Sequence, residues 1–386
     1  MKIGIIGAGR LGLTFAILCK KAGYDVIVSD KREDYVYNLN HNICNTNEPL
    51  IQKMLFEINS FSATTNNVEI IENSDIIFTF VSTPSTTEGN YDTSAIFEVA
   101  NDFFEASKLE ISIFNKKFVI GSTSNPGDVE QIQHKLSMFS IQVSYNPHTV
   151  EDGEMVKGIQ ESDIVLIGTE YQELANELVQ IYSQIQTTPV NAHIMSSKAA
   201  EITKLGINSF ITNKITFTNM MGDILTKSNL RHEVDSVLNA IGTDSRIGKK
   251  HMKYGFGFGG VYLPKDNRTL SHYVNELDLN QNIPLTIDEF NSEHSDFLKN
   301  FFIQKNPDRS IPFVMNYLTY KRGTDILEES QQLKLCLSLL EEGYYLNVIE
   351  TDSTIKQLLD LSEQFNGRLK FYKQGTSPEG YIINLQ

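Results

Sequence analysis

Two stretches of this 386-residue chain combine residue types and spacings suited to chemistry. The first is Gly7-Ala8-Gly9-Arg10-Leu11-Gly12, a G-x-G-x-x-G run between the apolar Lys2-Ile3-Gly4-Ile5-Ile6 and a helical pattern from Leu11 to Ala22. In such a run the first glycine permits a tight turn. The second lets backbone approach a pyrophosphate seated on the helix N-terminus, and the third allows close helix–strand packing. Asp30 ends the next strand, where a carboxylate accepts both ribose hydroxyls and repels a 2′-phosphate, favouring NAD over NADP. Lys31 and Arg32 follow it and soften that exclusion. The expected cofactor set here is Gly7, Gly9, Arg10, Leu11, Gly12, Asp30 and Lys31. The second stretch holds Lys204 and Asn208, one helical turn apart. An ammonium and an amide at that spacing reach one oxygen and stabilise developing alkoxide charge. Read alone, the two are better taken as an exposed lysine and a helix-surface asparagine. His148, of a type titrating at about 6.5, suits a general base for alcohol oxidation. A loop histidine that only hydrogen-bonds is the alternative.

The elements that must carry these residues alternate strand and helix. Strands are expected at Lys2–Ile6, Asp25–Ser29, Ile76–Val81, Phe118–Ile120, Ile141–Ser144 and Ile164–Gly168. Strands separated by helices imply a parallel, doubly wound sheet, here over residues 1–190. From Ser196 the pattern turns to long helices. Lys198 to Lys227 keeps helical apolar spacing for some 30 residues, a length that spans domains or forms a dimer interface. A further helix is expected over Thr286–Gln304. A second Rossmann-like unit, residues 305–386, opens with a strand at Ile311–Met315 and continues with a helix at Glu328–Glu342 and a strand at Tyr345–Ile349. The fold class is α/β, with two Rossmann-like domains joined by a long central helix (residues 191–304 forming the helical, dimerising part).

Formal charge is −15, which disfavours nucleic acid or an anionic membrane as partner. No apolar run approaches the roughly 18 residues of a membrane helix. The chain opens directly on a strand and glycine turn, so no signal peptide is expected. The three cysteines, Cys19, Cys44 and Cys336, lie far apart without metal spacing, and Cys19 and Cys336 sit in apolar helical patterns as structural thiols. Such cysteine usage points to a reducing cytoplasm.

Gly255-Phe256-Gly257-Phe258-Gly259-Gly260-Val261-Tyr262-Leu263-Pro264-Lys265-Asp266 resembles the active-site loop of the UDP-glucose/GDP-mannose dehydrogenases, G-x-G-F-G-G-x-C-L-P-K-D. Other stretches resemble the family in order along nearly the whole chain. They are Val81-Ser82-Thr83-Pro84, Gly121-Ser122-Thr123, Asn146 to Gly153, Lys204 to Asn208, Asp244 to Gly248 and Tyr320 to Asp325. The resemblance implies NAD-dependent oxidation of the C6 alcohol of a nucleotide sugar, most simply a UDP-sugar, by a cytoplasmic homodimer. Lys204 and Asn208 would stabilise the alkoxide, Asp266 would give acid/base support, and Thr123 would position a water or hydroxyl. Thr83, Thr123 and Asp152 would join the cofactor site. Arg246, in this family from the neighbouring subunit, would meet the diphosphate, with Tyr254, Gly257 and Lys321 also on the substrate.

Three departures bear on the chemistry. Tyr262 stands where the family has its nucleophilic cysteine, and a phenol of pKa about 10 is far less ionised at neutral pH than a thiol of about 8.5. A tyrosine ether offers no thioester-like route to an acid. His148 replaces a glutamate that helps hydrolyse the thioester, and Glu328 replaces an arginine. These departures point to a single, non-covalent two-electron oxidation. Three alternatives stay open: a four-electron oxidation through the aldehyde hydrate, a non-catalytic homologue that binds NAD or a nucleotide sugar as sensor or partner, and a dehydrogenase for a different small acid.

Overall fold

A computed structural model of the chain describes every residue except 47, 49, 59, 60, 152 and 386. The chain divides into two compact units, Met1–Leu205 and Gly206–Gln386.

Among the described residues the first unit is built on eight strands: β1 (Lys2–Ile6), β2 (Asp25–Ser29), β3 (Ser62–Thr64), β4 (Ile76–Thr79), β5 (Lys117–Ile120), β6 (Gln142–Tyr145), β7 (Val165–Gly168) and β8 (Ala192–Met195). They lie in the order β3-β2-β1-β4-β5-β6-β7-β8. β1 and β2 fall on the expected residues, while β3 and β8 are additions. The expected strand Ile76–Val81 stops at Thr79, where the chain leaves the sheet. The sheet is not wholly parallel. β7 meets β6 antiparallel through the bridge Tyr145↔Gly168, and β8 runs parallel to β7. The central strands are short apolar runs because helices cover both faces. Alternate residues feed the two cores: Ile76 and Phe78 face one, Ile77 the other. Among the covering helices are α1 (Arg10–Lys21), α2 (Asp128–Leu136) and α3 (Gln172–Ile185).

The long helix α4 (Ser197–Lys227) starts in the first unit and ends in the second, within one residue of the expected start. The second unit continues with α5 (Leu263–Glu276) and α6 (Ile283–Lys305). It then forms a four-stranded parallel sheet of β9 (Phe313–Met315), β10 (Leu346–Glu350), β11 (Leu369–Lys373) and β12 (Tyr381–Ile382), ordered β11-β10-β9-β12. Helix α7 (Gln331–Glu341) joins β9 to β10. It begins three residues later than the sequence pattern implies, because Ser330 caps it by accepting from the Leu333 amide. Cys336 is buried in this unit's core and Cys19 in the first unit's, as expected.

Candidate active site

Order β2-β1-β4 puts a topological switch point at β1, where the chain leaves β1 and β4 to opposite sides. The expected site residues of the first unit follow the carboxyl ends of its strands: Gly7 after β1, Asp30 after β2, Thr83 after β4, Thr123 after β5 and His148 after β6.

The turn after β1 is shaped for a phosphate. A Cβ on Gly12 would stand 2.1 Å from the Gly7 carbonyl oxygen, so only glycine lets α1 start this close to the strand. Among the described residues a Cβ on Gly9 would meet nothing within 4 Å, so the helix start faces open room there. Gly9 is the N-cap residue, and no side chain among the described residues caps the helix. An anion is the natural partner for such a start. The Gly7 and Ala8 amides are tied to the Ser29 carbonyl, and the Tyr35 hydroxyl donates to the Ala8 carbonyl, which fixes the turn in place. These residues fit NAD. Asp30 is in the expected position, but Arg32 forks onto it, with Nε–Oδ1 at 2.8 Å and Nη2–Oδ2 at 2.9 Å. The guanidinium also lies 4.0 Å over the Tyr35 ring. Burial pushes the Asp30 carboxyl up, but the bonds and charge of Arg32 prevail and hold it below its usual range. Arg10 and Lys31 are exposed, Leu11 and Thr83 partly so. Asp152 lies outside the described residues.

Thr123 sits between two anchored serines. The Ser122 hydroxyl donates to the Val81 carbonyl at 2.8 Å. The Ser124 hydroxyl donates to Glu201 at 2.9 Å. Glu201, fully buried on α4, also accepts from the Gly127 amide at 2.6 Å and the Val129 amide at 3.1 Å. It thereby closes the N-terminus of α2, where the helix dipole favours a negative charge. Burial nevertheless raises this carboxyl to about 7, against the lowering by its three donors. Lys204, three residues further along α4, is buried as well. It is not the exposed lysine of the bland reading.

His148 is lodged against the rings of Phe15, Phe80 and Tyr182. Asn146 donates to the Leu166 carbonyl, so its amide oxygen faces Tyr182 and takes the hydroxyl proton at 2.7 Å. The Tyr182 oxygen therefore accepts from His148 Nε2 at 3.0 Å, which fixes the tautomer. Nδ1 is left buried without a partner among the described residues. Burial, then the charge of Lys204, lowers this imidazole to about 4. The ring is neutral across the range in which an ordinary histidine titrates.

In the second unit Asn208 Nδ2 donates to Asp266 Oδ2 at 2.5 Å. Asp266 is fully buried in the first turn of α5. Its neighbour Asn267 accepts from Ser209 and Thr212 on α4 and donates to the Pro284 carbonyl, so three chain segments fix where the carboxylate stands. The loop Gly255–Gly260 leads to Tyr262, the N-cap residue of α5. Asn291 pairs with both backbone groups of Phe258, and a Cβ on Gly257 would stand 2.1 Å from its Oδ1. Gly260 has φ +83°, with the Tyr320 ring against it. Glu328 pairs with Lys265 of the loop motif at 2.7 Å. The acidic residue in place of arginine is thus neutralised. Glu329 and Asp288 clamp Arg268. Tyr254 is buried with its hydroxyl given to Asp223 at 2.7 Å. The Arg246 side chain is 87% exposed and forked onto Asp244. Lys321 is partly exposed on the loop after β9.

The structure thus brings Thr123, His148 and Lys204 into the first unit, and Asn208, Asp266, Tyr262 and Gly257 into the second. Sequence reasoning missed Glu201, Asn267 and Asn291. The signal was present on α4, whose inward face reads Glu201, Leu205, Asn208, Thr212 at helical spacing.

Residues 1–186 match the family model described as UDP-glucose/GDP-mannose dehydrogenase family, NAD binding domain, and residues 198–293 match that family's central domain. The UDP-glucose 6-dehydrogenase of Rickettsia bellii is 28% identical over 359 residues, covering 91% of this chain and 81% of that protein. A putative UDP-glucose 6-dehydrogenase of Bacillus subtilis is 26% identical over 372 residues, covering 93% and 83%. Among solved structures, a UDP-glucose dehydrogenase from Pyrobaculum islandicum aligns with a TM-score of 0.86 at 21% identity, over 96% of this chain and 85% of that one. At that identity the likeness is one of fold.

Proposed function

This chain belongs to the UDP-glucose/GDP-mannose dehydrogenase family and carries its NAD-binding domain, and from that premise we propose that it oxidises a nucleotide-sugar alcohol by two electrons without a covalent intermediate. The observation that carries this reading is the buried Asn208–Asp266 pair, one helical turn along α4 from buried Lys204. Burying a lysine and an aspartate in ionised form costs several kcal/mol each, a cost that a role in substrate chemistry would explain. In the proposed reaction Lys204 and Asn208 hold the substrate oxygen and stabilise it as its proton leaves. Asp266 orients the water that takes that proton. Bound NAD supplies the hydride acceptor, so the products are a carbonyl compound and NADH. His148, neutral and shielded, packs beside Lys204 rather than taking the proton.

The non-covalent part rests on the cysteines. Tyr262 occupies the nucleophile's place, and Cys19, Cys44 and Cys336 are all buried, with burial pushing each thiol up. None of the three lies in the Gly255–Asp266 loop. A thiolate is therefore not at hand for a thiohemiacetal. We include in the proposal a UDP-sugar as substrate, a nucleotide-sugar-binding role for residues 305–386, and a homodimer. The dimer is supported by the exposed apolar residues Phe210 (67%), Phe217 (43%) and Ile224 (47%), which recur every seven residues along α4.

The test is NADH formation with product mass, using purified protein, NAD and a panel of UDP-, GDP- and dTDP-sugars. A product two mass units lighter than its substrate is expected, with Lys204→Ala losing about a hundred- to a thousandfold in kcat. A uronic acid with two NADH per sugar would replace this reading by the four-electron one. Silence across the panel, with NAD still bound, would favour the non-catalytic homologue. The rate is also expected to lack a limb near pH 6.5, because His148 stays neutral down to about 4. A limb at 6.5 that His148→Gln removes would return the base role to that residue.

A further inference from the structure

We infer that His294 and Asp223 form a buried ion pair that positions the glycine loop Gly255–Gly260, gripping it by the Gly255 carbonyl. His294 lies on α6 and is 1% exposed. Its Nδ1 stands 2.7 Å from Asp223 Oδ2 and its Nε2 stands 2.8 Å from the Gly255 carbonyl oxygen. A carboxylate and a carbonyl both only accept, so each ring nitrogen carries a hydrogen and the ring is a cation. Asp223, on α4, supplies the balancing charge, and its other oxygen takes the Tyr254 hydroxyl proton. Phe290 and Phe297 stack on the ring at 6.3 Å and Tyr254 meets it edge-on at 5.6 Å. Among the described residues the other cations nearby are Arg231, which reaches the Tyr254 hydroxyl and lies over Tyr254 and Phe301, and Lys227, over Phe297. Asp223 is the carboxylate in direct contact with the ring. The loop's other anchors are neutral: Asn219 accepts from the Gly255 amide, Asn291 brackets Phe258, and the Gly260 amide donates to the Glu328 carbonyl. The ion pair is the charged member of this set, and it acts at the loop's first residue. His294 is a positioning residue, acting through the loop on Tyr262 and Asp266. This inference rests on the proposed site.

The first test is the imidazole 15N spectrum of the full-length protein at pH 7.5. Both His294 nitrogens are expected to be protonated, and Asp223→Asn to abolish that signature. A neutral tautomer in the wild type would overturn the inference. In His294→Gln, amide exchange over residues 254–260 is expected to quicken at least tenfold. On whichever sugar the panel identifies, kcat should fall at least tenfold, with NADH affinity unchanged. Unaltered exchange and kcat in a folded variant would overturn it too. If His294→Gln does not fold, the wild-type spectrum still decides. Should Lys204→Ala leave kcat intact, the proposed site fails independently of the spectrum.

Discussion

The two Rossmann-like halves share one wiring, strand–turn–helix–strand, yet they use its turn in opposite ways. In β1–α1–β2 the helix begins at Gly9 with no side-chain cap, and the acid ending the second strand, Asp30, faces Arg32 at a partly open edge. In β9–α7–β10 the helix begins behind Ser330, whose hydroxyl accepts from the Leu333 amide and donates to the Leu318 carbonyl at 2.6 Å. The acid ending its second strand, Glu350, is buried. One of its oxygens accepts from the Leu318 and Thr319 amides, the other from the Thr351 amide. The first turn is left open for a phosphate, while the second is filled by the protein's own side chains. Topology alone therefore does not make a dinucleotide site. What matters is whether the helix start and the strand-end acid are already spoken for.

The sharpest way to break this comparison is to close the open turn. Gly12→Val would drive a side chain into the Gly7 carbonyl, 2.1 Å from the added Cβ, and lift α1 off the strand. NADH binding, followed by fluorescence titration, is expected to weaken at least about a hundredfold. Unchanged binding would mean that the glycine turn does not carry the cofactor. The converse change acts on the filled turn. Glu350→Gln turns an amide –NH2 toward one of three backbone N–H donors, leaving that donor buried and unpaired. Urea denaturation should show a loss of about 2 kcal/mol, within the 1–3 kcal/mol of such groups. NADH affinity should not move, and a drop in it would mean the two turns are less separate in function than we argue.

The open half of this contrast was legible in the sequence and the filled half was not, for physical causes. β1 and β2 were read to the residue because they are continuous apolar runs bounded by the glycine turn and Asp30. β3, β8, β11 and β12 are edge strands, short or half-exposed, without a two-sided apolar run to mark them. The direction of β7 leaves no trace in its composition. Glu328 and Glu329 read as the first turn of a helix, but Glu329 has φ +53°, which breaks helical geometry before Ser330 restarts it. Of the proposed site, the motif residues Lys204, Asn208 and Asp266 were named from the sequence, but their burial and pairing were not. Glu201, Asp223 and His294 were missed because charged types are read as surface residues by default, and only packing reveals the exceptions.

Asp30→Asn probes the open turn more gently. The carboxylate that should accept the ribose hydroxyls becomes neutral, and Arg32 loses its fork. Affinity for NAD is expected to fall about tenfold, equivalent to about 1.4 kcal/mol, while affinity for NADP rises as the guanidinium is released toward a 2′-phosphate. The pH dependence follows from the lowered carboxyl. Asp30 stays ionised from neutral pH to below its ordinary range, so NAD affinity should hold flat down to about pH 4 and fall only beneath it. An affinity lost already near pH 5 would mean that Arg32 is not holding the carboxylate in solution.

Ser330→Ala is the smallest of these perturbations and the cleanest comparison between the two helix starts. It removes the cap of α7 and the bond to Leu318 without adding bulk. Substituting a serine N-cap by alanine costs about 1 kcal/mol. The matching change at α1, Gly9→Ala, meets nothing within 4 Å among the described residues; alanine caps a helix less well than glycine but also narrows the unfolded ensemble, and since the two effects oppose each other the apo protein should lose no more than about a few tenths of a kcal/mol. The added methyl occupies the space a pyrophosphate needs, so NADH affinity should fall although stability barely changes. One variant thus loses stability and keeps the ligand, while the other keeps stability and loses the ligand. If both variants changed the same quantity, the division between a turn filled by the protein and a turn kept open would not hold.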